Sequence, residues 1–406
     1  VTSPSPSWDT ARDLAVSLGA ERMLPPRSVA ISAAAGLTSA TDAHAVVSLP
    51  VADVSAMDGW AISGDGPWRV GDPVPMGASV PGDRIRPGVA RPVTTGAVVP
   101  PGARAVLRSE HGATVRDATG AGRLSLNPAG RAAGAPAAGS HIRRAGEEIT
   151  AGELLWTAGT VLTPAHLAFA AVAGLDSLDV HPLARVRLVV TGDEVIAAGP
   201  PRGGEVRDAY TPVFSSLLPA LGYALDSGHH AIDSRSAVTD ALQRADEADL
   251  VITTGGTSRG SGDWVRHAVE DAGGVIVVDG VRMRPGHPVL LARLADGRPL
   301  LALPGNPLAA LVCLLSFAPA IAAGMTGGTL VGLGPLPGLE VEPIEHDTRI
   351  IPFRRDDDGR AVATSWRGSA MLRGLADAEG LAVVAPQDSP APTRMLPLPW
   401  PSAARR

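Results

Sequence analysis

Lysine is absent from the chain: among 406 residues, every one of the 35 basic side chains is arginine. That excludes a Schiff-base lysine and the lysine of a phosphate-binding P-loop. Cysteine occurs once, as Cys313 within an apolar run. A single cysteine excludes an internal disulfide and a cysteine-built zinc site, and it fits a reducing compartment. The first residues lack the basic start and apolar core of a secretory signal, so a cytoplasmic location is expected. An excess of positive charge is missing too. The formal net charge is −6 and the pI about 5.9, so no nucleic-acid surface is expected. Long apolar runs are scarce, and Leu308 to Met325 alone approaches a membrane span in length. It follows a short apolar run and a Pro-Gly-Asn-Pro turn, is rich in alanine and contains Pro319. A core helix packed on a sheet is expected there, and no membrane partner.

The length suggests about two to four domains. The stretch that organises the chain is Asp249 to Asp263, DLVITTGGTSRGSGD. Leu250-Val251-Ile252 is an unbroken apolar run, the pattern of a strand buried on both faces. Gly255-Gly256 then lets the backbone turn sharply and come close to a ligand. A loop of small polar residues, Ser258 among them, ends in Asp263, and Trp264 to Val269 has helical spacing. In an open α/β sheet, ligands sit at the carboxyl ends of strands in such a loop. The same pattern also fits a tight turn with a helix-capping Asp263.

Two further stretches repeat this grammar. Arg187 to Val190 runs into Thr191-Gly192-Asp193-Glu194, and Leu300 to Leu303 runs into Pro304-Gly305-Asn306-Pro307. Asn306 is placed as an N-cap and Pro307 suits the first helical position. The free N–H groups of that helix would favour an anion. Three strand ends thus offer two glycine-lined loops, several carboxylates and a helix N-terminus. Such a rim suits an anionic ligand held partly through a divalent cation such as Mg²⁺. The adjacent His229-His230 pair is expected to be structural, because neighbours in a strand point to opposite faces.

In chain order, Ser7 to Leu18 reads as a short helix. Val29 to Ala45 is alanine-rich and reads as helical in part, and Val46 to Pro50 as a strand. From Trp68 to Leu126, short apolar pairs alternate with Pro and Gly, the spacing of a small all-β domain. Asn127 to Ser140 reads as a loop or hinge, and Ala165 to Val172 as a helix ending at Gly174. From Arg185 to Thr326, strands and helices alternate, which predicts a parallel sheet with helices on both faces. Past Gly328 short apolar runs between prolines predict a small β-rich tail, with one short helix at Ala370 to Ala378.

The ordered set MDGWA (Met57–Ala61), TGA (Thr95–Ala97), TGDE (Thr191–Glu194), TTGG…D (Thr253–Asp263), RPGHP (Arg284–Pro288) and LPGNP (Leu303–Pro307) resembles the molybdopterin molybdenumtransferases, the family that includes the C-terminal domain of gephyrin. The resemblance implies a multi-domain α/β subunit. Its parts are a discontinuous first domain (1–52 and 140–182), an inserted β-rich domain (53–139), an α/β domain (183–326) and a β-barrel-like tail (327–406). It also implies a homodimer, with each site lying between the third domain of one subunit and the second domain of its partner. The implied substrates are adenylylated molybdopterin and molybdate. The metal is inserted at the dithiolene and AMP is released.

Residue by residue, the resemblance assigns Asp58, Glu194, Asp263 and Arg284 to catalysis. Glu194, Asp233 and Asp263 match its acidic, metal-holding set. Ligand contacts fall on Thr95, Glu148, Asp208, Asp233, Gly255, Gly256, Ser258, His287, Pro304, Asn306 and Pro307. The chain departs from the family at Arg284 and His287, where lysine is usual or frequent, and at Glu148, Ser261 and Tyr210, where Asp, an acid and Asn are common. Two other readings stand beside this one. One is a non-catalytic scaffold of the same fold. The other is a molybdopterin adenylyltransferase, against which the chain length argues.

Overall fold

The structure is a computed structural model that describes residues 4–77, 83–116, 118, 120–244, 247–258, 260, 263–330 and 332–401. Contacts divide the chain into two compact units. One holds the chain up to Thr41, Thr157–Thr163 and Leu178 onward; the other holds Asp42–Trp156 and Pro164–Ser177.

The first unit is built on a six-stranded sheet in the order Tyr223–Ala231, Ala184–Thr191, Leu250–Thr254, Pro299–Leu303, Leu290–Arg293, Val275–Asp279. The first four strands are parallel, with Val186 opposite Leu250 and Val251 opposite Leu300. The last two pair antiparallel, which corrects the all-parallel expectation. Chain segments joined by a short turn return antiparallel, and only residues 294–298 separate Leu290–Arg293 from Pro299–Leu303.

Every residue of Leu250–Thr254 and of Pro299–Leu303 is buried. Side chains alternate between faces, so each strand feeds two cores. Leu250 and Ile252 join the cluster with Trp8, Phe214 and Phe317, while Val251 packs with Val238, Ala241, Val265 and Val269. The second face is covered by helices Arg235–Gln243 and Val265–Asp271. Ser234 caps the former by accepting from the Ala237 N–H, and Val238, Ala241 and Leu242 supply its buried stripe.

The first face is covered by Trp8–Ala20, Thr211–Leu217 and the long helix Pro307–Thr326. That last helix is long and apolar enough to cross a bilayer, yet 89% of its most apolar window is buried inside the protein. It meets Trp8–Ala20 backbone to backbone. A Cβ on Gly19 would lie 2.1 Å from the Ile321 carbonyl oxygen, and one on Gly324 2.0 Å from that of Val16. Glycine is therefore required at both positions for the helices to approach this closely. A further sheet runs Met283–Arg284, Thr348–Arg355, Gly380–Val384, Arg394–Pro397, Gly334–Pro335, with Ala361–Ala363 paired to the second strand. The tail helix is short, Arg373–Ala376.

The second unit contains a six-stranded sheet in the order Ala105–Arg108, Gly59–Ser63, Val89–Val93, Trp68–Val70, Gly122–Leu126, Gly112–Arg116. Ile62, Trp68, Leu107 and Leu124 pack one of its cores. Helix Pro164–Val172 also belongs to this unit.

Three local expectations are corrected. Residues 29–45 hold a single 3-10 turn, Ile31–Ala33, flanked by short strands such as Thr38–Ser39, which pairs with Val180 and His181. Alanine content favours a helix, but tertiary pairing overrides so weak a preference. Residues 46–50 form no strand; Leu49 makes an isolated bridge to Ile149. Residues 128–133, expected as loop, form a helix with Pro128 in its first turn and Asn127 accepting from the Gly130 N–H. Asn-Pro was the overlooked start signal.

Candidate functional site

The carboxyl ends of three neighbouring parallel strands form one rim. Thr191 Oγ1 donates to the Thr254 carbonyl at 2.8 Å, and the Gly255 N–H donates to the Leu303 carbonyl at 3.0 Å. Gly255 has φ +88°, and a Cβ there would stand 2.7 Å from Thr191 Oγ1. The loop after Leu250–Thr254 therefore begins from a base that only glycine allows.

Asp263 closes that loop. Its Oδ1 accepts from the Ser258 N–H at 3.2 Å and its Oδ2 from the Gly260 N–H at 2.7 Å. Ser261 lies outside the described residues. Arg266 braces the loop from the following helix, a residue the sequence did not single out. Its guanidinium pairs with Asp279 at 2.5 Å and donates to the carbonyls of Thr257 and, at 2.7 Å, Ser258.

The acids after the first strand meet those after its neighbour. Asp193 N–H donates to Asp233 Oδ2 at 3.4 Å, and Asp233 N–H donates to Asp193 Oδ1 at 3.0 Å. Burial pushes the Asp233 carboxyl above the usual aspartate range. The charges of Glu194, Asp193 and Asp263 push it further, against the opposing hydrogen bond from Asp193. The rim thus gathers negative charge. Among the described residues, no group of three or more His, Cys, Asp or Glu side chains stands close enough to hold a metal ion by itself. His230 is structural, with Nε2 2.8 Å from the Gly192 carbonyl. Asp208 caps a helix: its Oδ1 accepts from Tyr210 N–H at 2.8 Å and Thr211 N–H at 3.1 Å. Burial raises the Asp208 carboxyl, but the bonds from Thr211 and Tyr210 outweigh it, leaving it below the usual range.

Arg284 sits opposite Arg349 in a parallel ladder, which sets two arginines side by side. Together with Arg367, His287, Pro304 and Asn306 they line a cavity of about 480 Å³. Arg284, His287 and Pro288 also line an adjoining cavity of about 380 Å³, whose other walls include Thr257, Ser258 and Arg266. Arg284 Nε pairs with Asp347 at 2.9 Å, while its side chain stays 60% exposed. His287 Nδ1 is 2.7 Å from the Val281 carbonyl. A carbonyl only accepts, so Nδ1 is the donor in this contact.

Asn306 occupies the cap position of the long helix but makes no side-chain cap hydrogen bond, and Pro307 takes the first turn as expected. Of the first-turn N–H groups, that of Ala309 already donates to the Ser369 carbonyl at 3.0 Å. The helix end therefore offers an anion less than the sequence suggested, and the arginines offer more.

In the second unit, Asp58 and Thr95 are joined although far apart in sequence. Asp58 Oδ1 accepts from the Thr95 N–H at 2.7 Å and from its hydroxyl at 2.9 Å. These bonds hold the exposed Asp58 carboxyl below its ordinary range. Glu148 lies exposed in the same unit, with its N–H donating to the Leu49 carbonyl at 2.9 Å.

Comparison with known proteins bears on both units. Residues 7–174 match the model of the MoeA N-terminal region (domains I and II), and 187–323 match that of a probable molybdopterin binding domain. Molybdopterin molybdenumtransferase 2 of Mycobacterium tuberculosis is 36% identical over 310 residues, covering 72% of this chain and 73% of that protein. Molybdopterin molybdenumtransferase of Synechococcus elongatus is 32% identical over 291 residues, covering 67% and 69%. Among solved structures, the molybdopterin biosynthesis MoeA protein of Pyrococcus horikoshii superposes with a TM-score of 0.76 at 21% identity, over 97% of this chain and 100% of that one. That likeness shows the shared fold.

Proposed function

The chain belongs to the molybdopterin molybdenumtransferases, transferases of molybdenum cofactor biosynthesis, and we propose that it inserts molybdenum from molybdate into adenylylated molybdopterin with release of AMP. The observation that carries this reading is the pair of adjoining cavities that share Arg284 and His287. A small tetrahedral dianion suits the cavity walled by three arginines. A phosphate-bearing ligand suits its neighbour, beside Arg266 and the Thr257–Ser258 backbone. Two anions brought close together repel, and Arg284 between them offsets that repulsion with a fixed positive charge.

The acidic rim has a complementary task. Mg²⁺ takes one or two carboxylates and completes its shell with water and substrate phosphates, so it does not require three protein ligands. The raised Asp233 carboxyl marks charge that such an ion would neutralise. Glu194 and Asp233 are the residues that would hold it. Both oxygens of Asp263 are engaged by backbone N–H groups, so Asp263 shapes the loop and adds charge. When bound, the ion would polarise the phosphoanhydride of the nucleotide.

The reading includes a cytoplasmic homodimer of four-part subunits with a barrel-like tail. Asp58 and Thr95 of one subunit serve the rim of the other. The test is transfer itself: purified protein, adenylylated molybdopterin and molybdate, with AMP release and metal incorporation measured together. Neither product appearing, and failure to complement a transferase-deficient strain, overturns the reading.

A further inference from the structure

We propose that Tyr210 is a positioning residue of the oxyanion cavity, setting the wall formed by Pro304 to Asn306; this rests on the reading of that cavity as the molybdate site. The phenol lies outside the cavity, and its hydroxyl donates to the Gly305 carbonyl at 2.6 Å. Gly305 stands between Pro304 and Asn306, two residues of the cavity wall. Among the described residues, Tyr210 is the donor that reaches this carbonyl.

Tyr210 is itself fixed at three points. Its N–H is held by Asp208 at 2.8 Å, and its ring meets Phe214 edge to face at 6.3 Å. Its hydroxyl, the third point, holds the turn. The side chain is buried at 7% exposure, and burial raises the phenol well above its ordinary range, so the donor keeps its proton. Asp208 therefore reaches the cavity indirectly: it orders the start of Thr211–Leu217, and Tyr210 carries that order to Gly305. A lone tyrosine gives no such signal in the sequence, where Tyr210 stood out only as a departure from the family.

The second tyrosine provides a matched control. Tyr223 is fully buried and donates to the Ala318 carbonyl, also at 2.6 Å, inside the same long helix and away from the turn. Tyr210→Phe and Tyr223→Phe each remove one buried hydroxyl from one carbonyl, so a comparable fall in melting temperature is expected from both. Only Tyr210→Phe frees the wall. Equilibrium binding of molybdate alone should weaken about threefold to tenfold for Tyr210→Phe and stay unchanged for Tyr223→Phe, on the usual scale of one hydrogen bond. In the transfer assay the KM for molybdate should rise by the same factor, with kcat at saturating molybdate retained. Equal binding changes in both variants, or none in Tyr210→Phe, overturn the proposal. Arg284→Ala is measured alongside. If it loses molybdate while Tyr210→Phe does not, only the positioning role falls. If neither the wild type nor any variant binds molybdate, the reading of the cavity falls and the inference with it.

Discussion

Arg266 and Asp279 form an ion pair at 2.5 Å, with 17% and 27% of their side chains exposed, and from it the arginine reaches the Thr257 and Ser258 carbonyls. The pair couples an edge strand of the sheet to the loop that lines the second cavity. Arg266→Ala would remove a charged donor from the half-buried Asp279 carboxylate and from two carbonyls. A loss of about 1.5–3 kcal/mol in urea unfolding is expected. Binding of adenylylated molybdopterin should weaken as well. A double-mutant cycle with Asp279→Ala measures how much of the loss belongs to the pair.

Arg284 has two tasks in the proposed site, so its variants should rank. Arg284→Ala is expected to weaken binding of adenylylated molybdopterin by about 1.5–3 kcal/mol, the range for a hydrogen bond to a charged group. Arg284→Lys should retain part of the affinity, because charge survives while the planar fork is lost. Calorimetric titration of the three proteins decides it, and equal affinities would count against any contact with the ligand.

Asp233 should leave a signature in the pH dependence of stability. Its folded-state carboxyl is raised by burial and by Glu194, Asp193 and Asp263. The folded state then binds this proton more tightly than the unfolded chain does. The ionised group therefore opposes folding above its raised pKa, and the penalty fades as pH falls toward the ordinary aspartate range. Asp233→Asn should raise the melting temperature at neutral pH, by a margin that closes on acidification. Added Mg²⁺ should stabilise the wild type more than the variant at neutral pH. A margin independent of pH would show that charge is not the cause.

The proposed sharing of sites between subunits is tested by mixing two variants. Asp263→Asn keeps one carbonyl acceptor for the loop, so folding is expected to survive while transfer falls at least about tenfold, on the scale of a lost charge-assisted contact. Asp58→Ala removes the acceptor of both Thr95 bonds. If a site draws Asp58 from one chain and Asp263 from the other, a dimer mixed from the two variants keeps one intact site. Activity in the mixture no greater than in either parent would refute the arrangement.

The parts of this molecule that were legible in the sequence are those a short window can carry. Leu250 to Ile252 and Leu300 to Leu303 are unbroken apolar runs followed by glycine turns, and they became buried strands ending at the rim. Arg349, Arg367 and Arg266 were not legible, because an isolated arginine carries no pattern. Arg349 matters through its register with Arg284, and register is a property of the sheet. The same reason hid Thr38–Ser39, whose partner strand lies far along the chain. Asp208 and Asp263 were seen as acids in the right places. Their engagement with backbone N–H groups depends on where the oxygens point, and that only three dimensions reveal.

The contact between Gly19 and Ile321 joins helix Trp8–Ala20 to one synthesised much later. On a ribosome, Trp8–Ala20 emerges before Pro307–Thr326 and lacks its main partner until that helix is released. Most of the second unit is complete long before then. Domains generally fold as they are completed during synthesis. The inserted unit should therefore mature first, while the early helix waits with Trp8, Ala15 and Leu18 unshielded. An arrested nascent chain stopped short of residue 307 should bind holdase chaperones through Trp8–Ala20, and release them once the long helix has cleared the tunnel.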